Sequence, residues 1–237
     1  VKKKVTAIVP AAGLGKRFGP DGNKPFQMLG DKPLIVWVFE VLESIDEIAE
    51  IIPVLKKPDM ALGCGLFENF KFSKIKRIAS GGKERQDSVY SALSLIDKKT
   101  DAVLIHDGVR PLIEKSVVEE SIRQLGKNDG VVVGVPVKDT IKEVGSLDKE
   151  AVIKKTLDRK SLWAIQTPQV FRYPVLMRAY GKAVTERFYS TDDSAIVEKY
   201  GGRVKVIMGS YSNIKITTPE DLDIAEMFLR KRLEGGL

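Results

Sequence analysis

The chain has 237 residues, 43% hydrophobic and 30% charged, which is the balance of a soluble globular protein with one large or two small α/β domains. A single cysteine, Cys64, excludes an internal disulfide, and no stretch reaches the length of a membrane span. The formal charge of +7 comes without a basic tail, zinc-finger spacing or a basic run interleaved with aromatics. A polyanionic small substrate therefore accounts for it as well as a nucleic acid does.

The apolar run near the N-terminus is too short for a signal peptide, so a cytoplasmic protein is expected. "KVTAIVP" (4–10) reads as a buried strand. "PLIVWVFEVLES" (33–44) reads as a helix with Pro33 in its first turn. "EIAEIIPVL" (47–55) is the next strand despite Pro53, and "KIKRIAS" (74–80) a third. In "KERQDSVYSALSLI" (83–96), Val89, Ala92, Leu93 and Ile96 form a helical stripe. "DAVLIHD" (101–107) is a fourth strand, "KSVVEESIRQL" (115–125) a helix and "GVVVGVPV" (130–137) a fifth strand. Strands alternating with helices predict a Rossmann-like α/β fold, with a mostly parallel sheet and helices on both faces.

The alternation breaks at 137–160, where "TIKEV" and "AVIKKTL" flank a polar turn. This is a two-stranded excursion. An isolated hairpin is marginal in water, so it is expected either to pack on another body such as a second subunit or to stand as a solvated surface hairpin. "LWAIQTPQVF" (162–171) then reads as a strand running into a loop. Residues 173–186 and 192–200 read as helices, and "GRVKVIMG" and "NIKIT" as short strands. The last helix starts with Thr218 as its cap, followed by Pro219, Glu220 and Asp221. There is no internal repeat, and residues 1–237 read as one domain with a β-arm at about 137–160.

In an open parallel sheet, ligands bind beyond the carboxyl ends of the strands. After the first strand comes Pro10-Ala11-Ala12-Gly13-Leu14-Gly15-Lys16-Arg17. A P-loop needs Ser or Thr after Gly-Lys, and Arg17 stands there; a dinucleotide fingerprint needs glycine at 18, and Phe18 stands there. Both templates fail. The small residues still admit a ligand close to the backbone, and Arg17 and Lys24 can reach one anion. After the third strand, "SGGKERQDS" offers Gly81, Gly82 and Ser88, equally a binding loop or a plain strand-to-helix turn. After the fourth, "HDGVRP" places Asp107 for a metal or a ribose, with Arg110 the next long cation; His106 reads as a packed side chain. "TPQ" ends a strand at Thr167, "STDDSA" begins a helix that Thr191 can cap, and "NIKIT" carries Lys215, a solvated lysine unless a ligand calls on it.

In order along the chain, "PAAGLGKRFG…NKPF", "GGKERQDSV", "HDGVRP", "PVKDTIK", "TLDRKSLWAIQTPQVF", "TDDSAIVE" and "NIKITTPEDL" resemble the 2-C-methyl-D-erythritol 4-phosphate cytidylyltransferases of the non-mevalonate isoprenoid pathway. The resemblance implies transfer of the cytidylyl group of CTP to the polyol phosphate with release of pyrophosphate. It also implies a divalent ion, usually magnesium (Mg2+), and a homodimer in which a β-arm reaches the partner's site. Carried over, Pro10, Ala11, Ala12, Gly13 and Gly15 would wrap CTP, with Arg17 and Lys24 on its phosphates and Gly82 and Ser88 at the cytosine. Asp107 and Gly108 would face ribose, metal or substrate. Arg110, Thr167, Thr191 and Lys215 would hold the polyol phosphate, and Thr140 and Arg159 would come from the partner's arm. On this resemblance, Arg17, Lys24, Arg159 and Lys215 would be the catalytic set. Two positions depart from the family: Lys83 stands where an acid is common, and Gly108-Val109 where two alanines are. The alternatives are a ribitol 5-phosphate cytidylyltransferase, against which "AAGLGKRFG" and "TDDSAIVE" speak, and a non-catalytic nucleotide-binding regulator on the same fold.

Overall fold

The computed structural model describes residues 3–13, 23–145 and 151–235. It begins with β1 (Val5–Pro10), the hairpin pair β2 (Met28–Leu29) and β3 (Lys32–Pro33), α1 (Leu34–Glu43) and β4 (Ile48–Leu55). Then come α2 (Met60–Asn69), β5 (Ala79–Ser80), α3 (Arg85–Leu93), β6 (Ala102–Ile105), α4 (Lys115–Gln124) and β7 (Gly130–Pro136). The second half holds β8 (Lys142–Val144), β9 (Ile153–Thr156), β10 (Trp163–Arg172), α5 (Tyr173–Glu186), α6 (Asp193–Lys199), β11 (Val204–Met208) and α7 (Pro219–Leu233).

Seven strands form the main sheet in the order β11-β7-β10-β6-β1-β4-β5. All neighbours are parallel except β10, which runs antiparallel to both β6 and β7. Strand alternation divides the core. Val5, Ala7 and Val9 pack with α1 and α4 on one face, while Ile8 and Ile105 pack with α3, α5 and α6 on the other. Both faces are covered, which is why the central strands are almost continuously apolar. A third cluster joins α7, through Ala225 and Leu229, to Leu29, Leu34 and Ile216.

Several expectations are refined. Pro53 is tolerated inside β4 because of where its missing N–H falls. Ile51 N–H and Leu55 C=O bond toward the β5 side, so position 53 faces a gap in that edge pairing. The third strand shrinks to Ala79–Ser80 plus a bridge at Ile75, a short edge of the kind that discourages further pairing. "NIKIT" is not a strand; its backbone tie to the body is Ile216 N–H to Val109 C=O at 2.9 Å. β10 does not stop at "TPQ" but continues to Arg172, with a register irregularity between Ile165 and Gln169. β8 and β9 form a separate antiparallel pair whose strand residues are all exposed.

Candidate active site

A cavity of about 530 Å3 opens beyond the carboxyl ends of β1, β4, β5 and β6. Pro10, Ala11, Ala12 and Gly13 form one wall, where β1 ends. Lys24 enters from a short 3-10 turn, Lys24–Phe26. Lys56 and Lys57 come from the end of β4, and Gly82, Lys83 and Ser88 from the start of α3. Asp107, Arg85 and Lys215 close the floor. Cations outnumber acids here, which suits a polyanionic ligand.

Asp107 is the hub. It is 5% exposed and faces three cations: Lys215 Nζ at 2.9 Å, Arg85 Nε at 3.3 Å and Arg110 Nε at 3.6 Å. Burial alone would raise its carboxyl; Arg85, Lys215 and Arg110 outweigh burial and hold it far below the usual carboxylate range. Arg85 spans two acids, with Nη2 on Asp193 at 2.8 Å. Burial works against its charge, but Asp193 and Asp107 more than compensate and raise it. Arg110 is anchored separately, donating from Nη1 to Asn213 C=O at 2.8 Å.

His106 is fully buried beneath this hub. Its Nε2 lies 3.1 Å from Arg110 C=O, which can only accept, so Nε2 carries the proton. Nδ1 then accepts from Thr167 Oγ1 at 3.0 Å, and the same oxygen accepts the Asp107 N–H at 3.1 Å. Burial pushes the imidazole down to about 4. The ring is a neutral strut that fixes Thr167 and Asp107. The irregularity in β10 falls on Gln166 to Pro168 and turns Thr167 toward this network.

The remaining sequence candidates are placed as follows. Ser88 accepts the Gly82 N–H at 3.0 Å and donates to Glu84 C=O at 3.1 Å, so it shapes the loop that lines the cavity. Gly81 is demanded by packing, since a Cβ there would lie 2.2 Å from Ala12 Cβ. Gly108 is buried against Val9 and Ala11, and its neighbour Val109 lines the cavity instead. Thr191 is exposed and does not cap α6; Asp192 does, accepting from Ala195 N–H at 2.8 Å. Thr140 and Arg159 are exposed at the root of β8 and β9, away from this cavity, where Arg159 Nη1 donates to Lys138 C=O at 2.6 Å. Gly15 and Arg17 lie outside the described residues.

The family model for 2-C-methyl-D-erythritol 4-phosphate cytidylyltransferase matches residues 5–231. The chain belongs to that family. It is 44% identical over 232 residues to the enzyme of that name from Geotalea uraniireducens, covering 96% of this chain and 97% of the relative. Against the enzyme of the same name from Caldanaerobacter subterraneus it is 44% identical, covering 96% and 99%. Its fold superposes on the 4-diphosphocytidyl-2C-methyl-D-erythritol synthase of Anaerococcus prevotii with a TM-score of 0.85 at 33% identity, covering 97% of each chain. With the cytidylyltransferase of Thermus thermophilus the TM-score is 0.77 at 27% identity, covering 96% and 99%. The chain is thus a cytidylyltransferase, and the family's reaction converts CTP and 2-C-methyl-D-erythritol 4-phosphate into the 4-diphosphocytidyl product.

For this cytidylyltransferase, reading the sequence overlooks three cavity cations, Arg85, Lys56 and Lys57, and the acid Asp193 that grips Arg85. Lys56 and Lys57 could have been found, because they follow the second strand as the other loops follow theirs. Arg85 gives no local signal, since its partners come from a distant loop and the first turn of a distant helix.

Proposed function

We propose that the cavity floored by Asp107 is where cytidylyl transfer takes place. CTP lies along Pro10 to Gly13 and Gly15, with its base toward Gly82 and Ser88 and its phosphates against Lys24 and Arg17. Asp107 flanks the ribose side, with Gly108 packed behind it against Val9 and Ala11. Lys215, Arg110 and Thr191 hold the polyol phosphate, and Thr167, whose hydroxyl proton is committed to His106, supports them from behind by accepting the Asp107 N–H. The observation that carries this reading is the meeting of Lys24 and Lys215, distant in sequence, on one cavity walled by small residues.

A phosphate oxygen of the polyol substrate attacks the α-phosphorus of CTP. A P–O bond forms there, the bond to the β-phosphate breaks, and pyrophosphate leaves with the electron pair. Two anions must approach, so fixed cations do most of the work: Lys24 and Arg17 at the α-phosphoryl oxygens, Lys215 on the attacking group. The attacking phosphate is already largely ionised near neutral pH, so no general base is called for. The neutral, buried His106 is consistent with that.

Asp107 does not fit as a resident metal ligand. Its oxygens face three cations, and among the described residues no three His, Cys, Asp or Glu side chains gather into a ligand set. Magnesium enters this reading with CTP, as part of the substrate on the triphosphate oxygens.

The pair β8–β9 serves as a dimerisation arm that carries Thr140 and Arg159 to a second subunit's cavity. Its exposed Val144, Val152 and Ile153 support that use. No helix among the described residues is long and apolar enough to cross a membrane. A CTP-dependent reaction supports a cytoplasmic setting. The direct test is pyrophosphate release from CTP with 2-C-methyl-D-erythritol 4-phosphate or with ribitol 5-phosphate. Preference for ribitol phosphate, or CTP binding without turnover, would sink the reading.

A further inference from the structure

Arg85 ties the cavity to the interior behind it. On the cavity side Nε faces Asp107 Oδ1 at 3.3 Å, and on the inner side Nη2 faces Asp193 Oδ2 at 2.8 Å. Asp193 is 1% exposed, and its other oxygen accepts the hydroxyl of Tyr180. Tyr180 is fully buried and stacks on Tyr90 with ring centroids 6.1 Å apart. Beyond Asp107, the other carboxylate oxygen holds Lys215 at 2.9 Å. Tyr180, Asp193, Arg85, Asp107 and Lys215 therefore form one continuous line from α5, through α6 and α3, to the loop before α7.

Two features set this line apart from an ordinary stabilising pair. Asp193 is not needed to start α6, because Asp192 caps that helix. A buried carboxylate is costly unless paired, so its place here is explained by the guanidinium it grips. Arg85, in turn, offers a planar fork that can hold two carboxylates at a fixed separation, which a lysine cannot. At the far end Lys215 needs such support. It is 40% exposed on a long stem, in a segment tied to the body by the Ile216 to Val109 backbone bond.

We infer that Arg85 is a positioning residue for cytidylyl transfer: gripped from behind by Asp193, it fixes the Asp107 carboxylate and, through it, the ammonium of Lys215. The inference rests on the reading that Lys215 holds the attacking phosphate. In-line attack tolerates little misplacement; an error of about 1 Å in a reacting group costs on the order of 100-fold in rate.

A double-mutant cycle on pyrophosphate release tests it. Arg85→Met is expected to lower kcat about 30-fold while KM for CTP stays within about threefold. Placed in a Lys215→Ala background, the same substitution should cost less than about threefold, because the residue it acts through is gone. Tyr180→Phe keeps every charge and should show the same pattern at about fivefold, which covers the case in which Arg85→Met does not fold. Losses that multiply in the double variant would mean a structural role and overturn the inference. So would wild-type turnover in both Arg85→Met and Tyr180→Phe while Lys215→Ala is impaired. Normal turnover in Lys215→Ala itself would overturn the site reading, and the inference with it.

Discussion

The hydroxyl of Thr167 and the imidazole of His106 meet at 3.0 Å in the interior, and the geometry leaves Nδ1 as the acceptor. Protonating Nδ1 would break this contact. Burial holds the folded ring's pKa at about 4, against 6.5 for an unperturbed histidine. As pH falls, the unfolded chain takes the proton first. The stability contributed by the neutral ring is full above about pH 6.5 and is lost progressively down to about pH 4, up to about 3 kcal/mol. His106 is the chain's single histidine, so the window from about pH 6.5 to 5 is clear of other imidazoles. The urea midpoint should drop across that window, and His106→Gln should flatten the drop. An equal slope in the variant would refute this.

Lys24→Ala and Arg17→Ala should each cut kcat by roughly two to three orders of magnitude, the usual loss for one preorganised charge. Steady-state kinetics on folded variants check this. Near-normal turnover in either would remove that cation from the transition state.

Gly81 and Gly13 are glycines for different reasons. Gly81→Ala would press on Ala12 Cβ at 2.2 Å, so it should destabilise the fold by about 1–3 kcal/mol. At Gly13 an added Cβ meets nothing within 4 Å among the described residues. Gly13→Ala should leave thermal stability within about 0.5 kcal/mol of wild type yet raise KM for CTP several-fold. Unchanged KM would show that the nucleotide does not approach Gly13.

If the arm serves a second subunit, two inactive variants should complement each other. In a heterodimer of Lys24→Ala and Arg159→Ala chains, one site carries both lesions and the other carries neither. Random mixing should restore about a quarter of wild-type activity. Activity that stays at the level of the separate variants after subunit exchange would place Arg159 in its own chain's site.

The sequence was most legible where burial on both faces forces apolar runs, as in β1, β6 and β7, and where helix signals coincide with packing, as at Tyr173–Glu186. It was least legible where tertiary contacts decide. Helix α2 contains Gly63 and Gly65, poor helix formers, and Gly63 sits close under β4, where a Cβ would displace the Leu55 Cδ1 methyl. The alternation of "NIKIT" comes from Ile214 and Ile216 entering the third apolar cluster, not from a strand partner. The loops after β1, β5 and β6 could be read because ligand chemistry collects at strand ends. The buried acid behind Arg85 could not, because Asp193 looks like part of a helix cap until Asp192 is seen to do the capping.

The strand that returns from the arm is also the strand that backs the cavity. Arg159 lies in the turn before β10, and Thr167 lies within β10, which is clamped antiparallel between β6 and β7. Arm and site therefore share one strand, interrupted by the irregularity at 166–168. An inserted or deleted residue within Trp163–Ile165 would break that stretch's register with β7, whereas one within Gln169–Phe171 would slide the strand against β6 and β7 at once. Drift in arm length is therefore best absorbed before Trp163, where the strand has not yet entered the sheet, leaving the register that presents Thr167 to Asp107 intact.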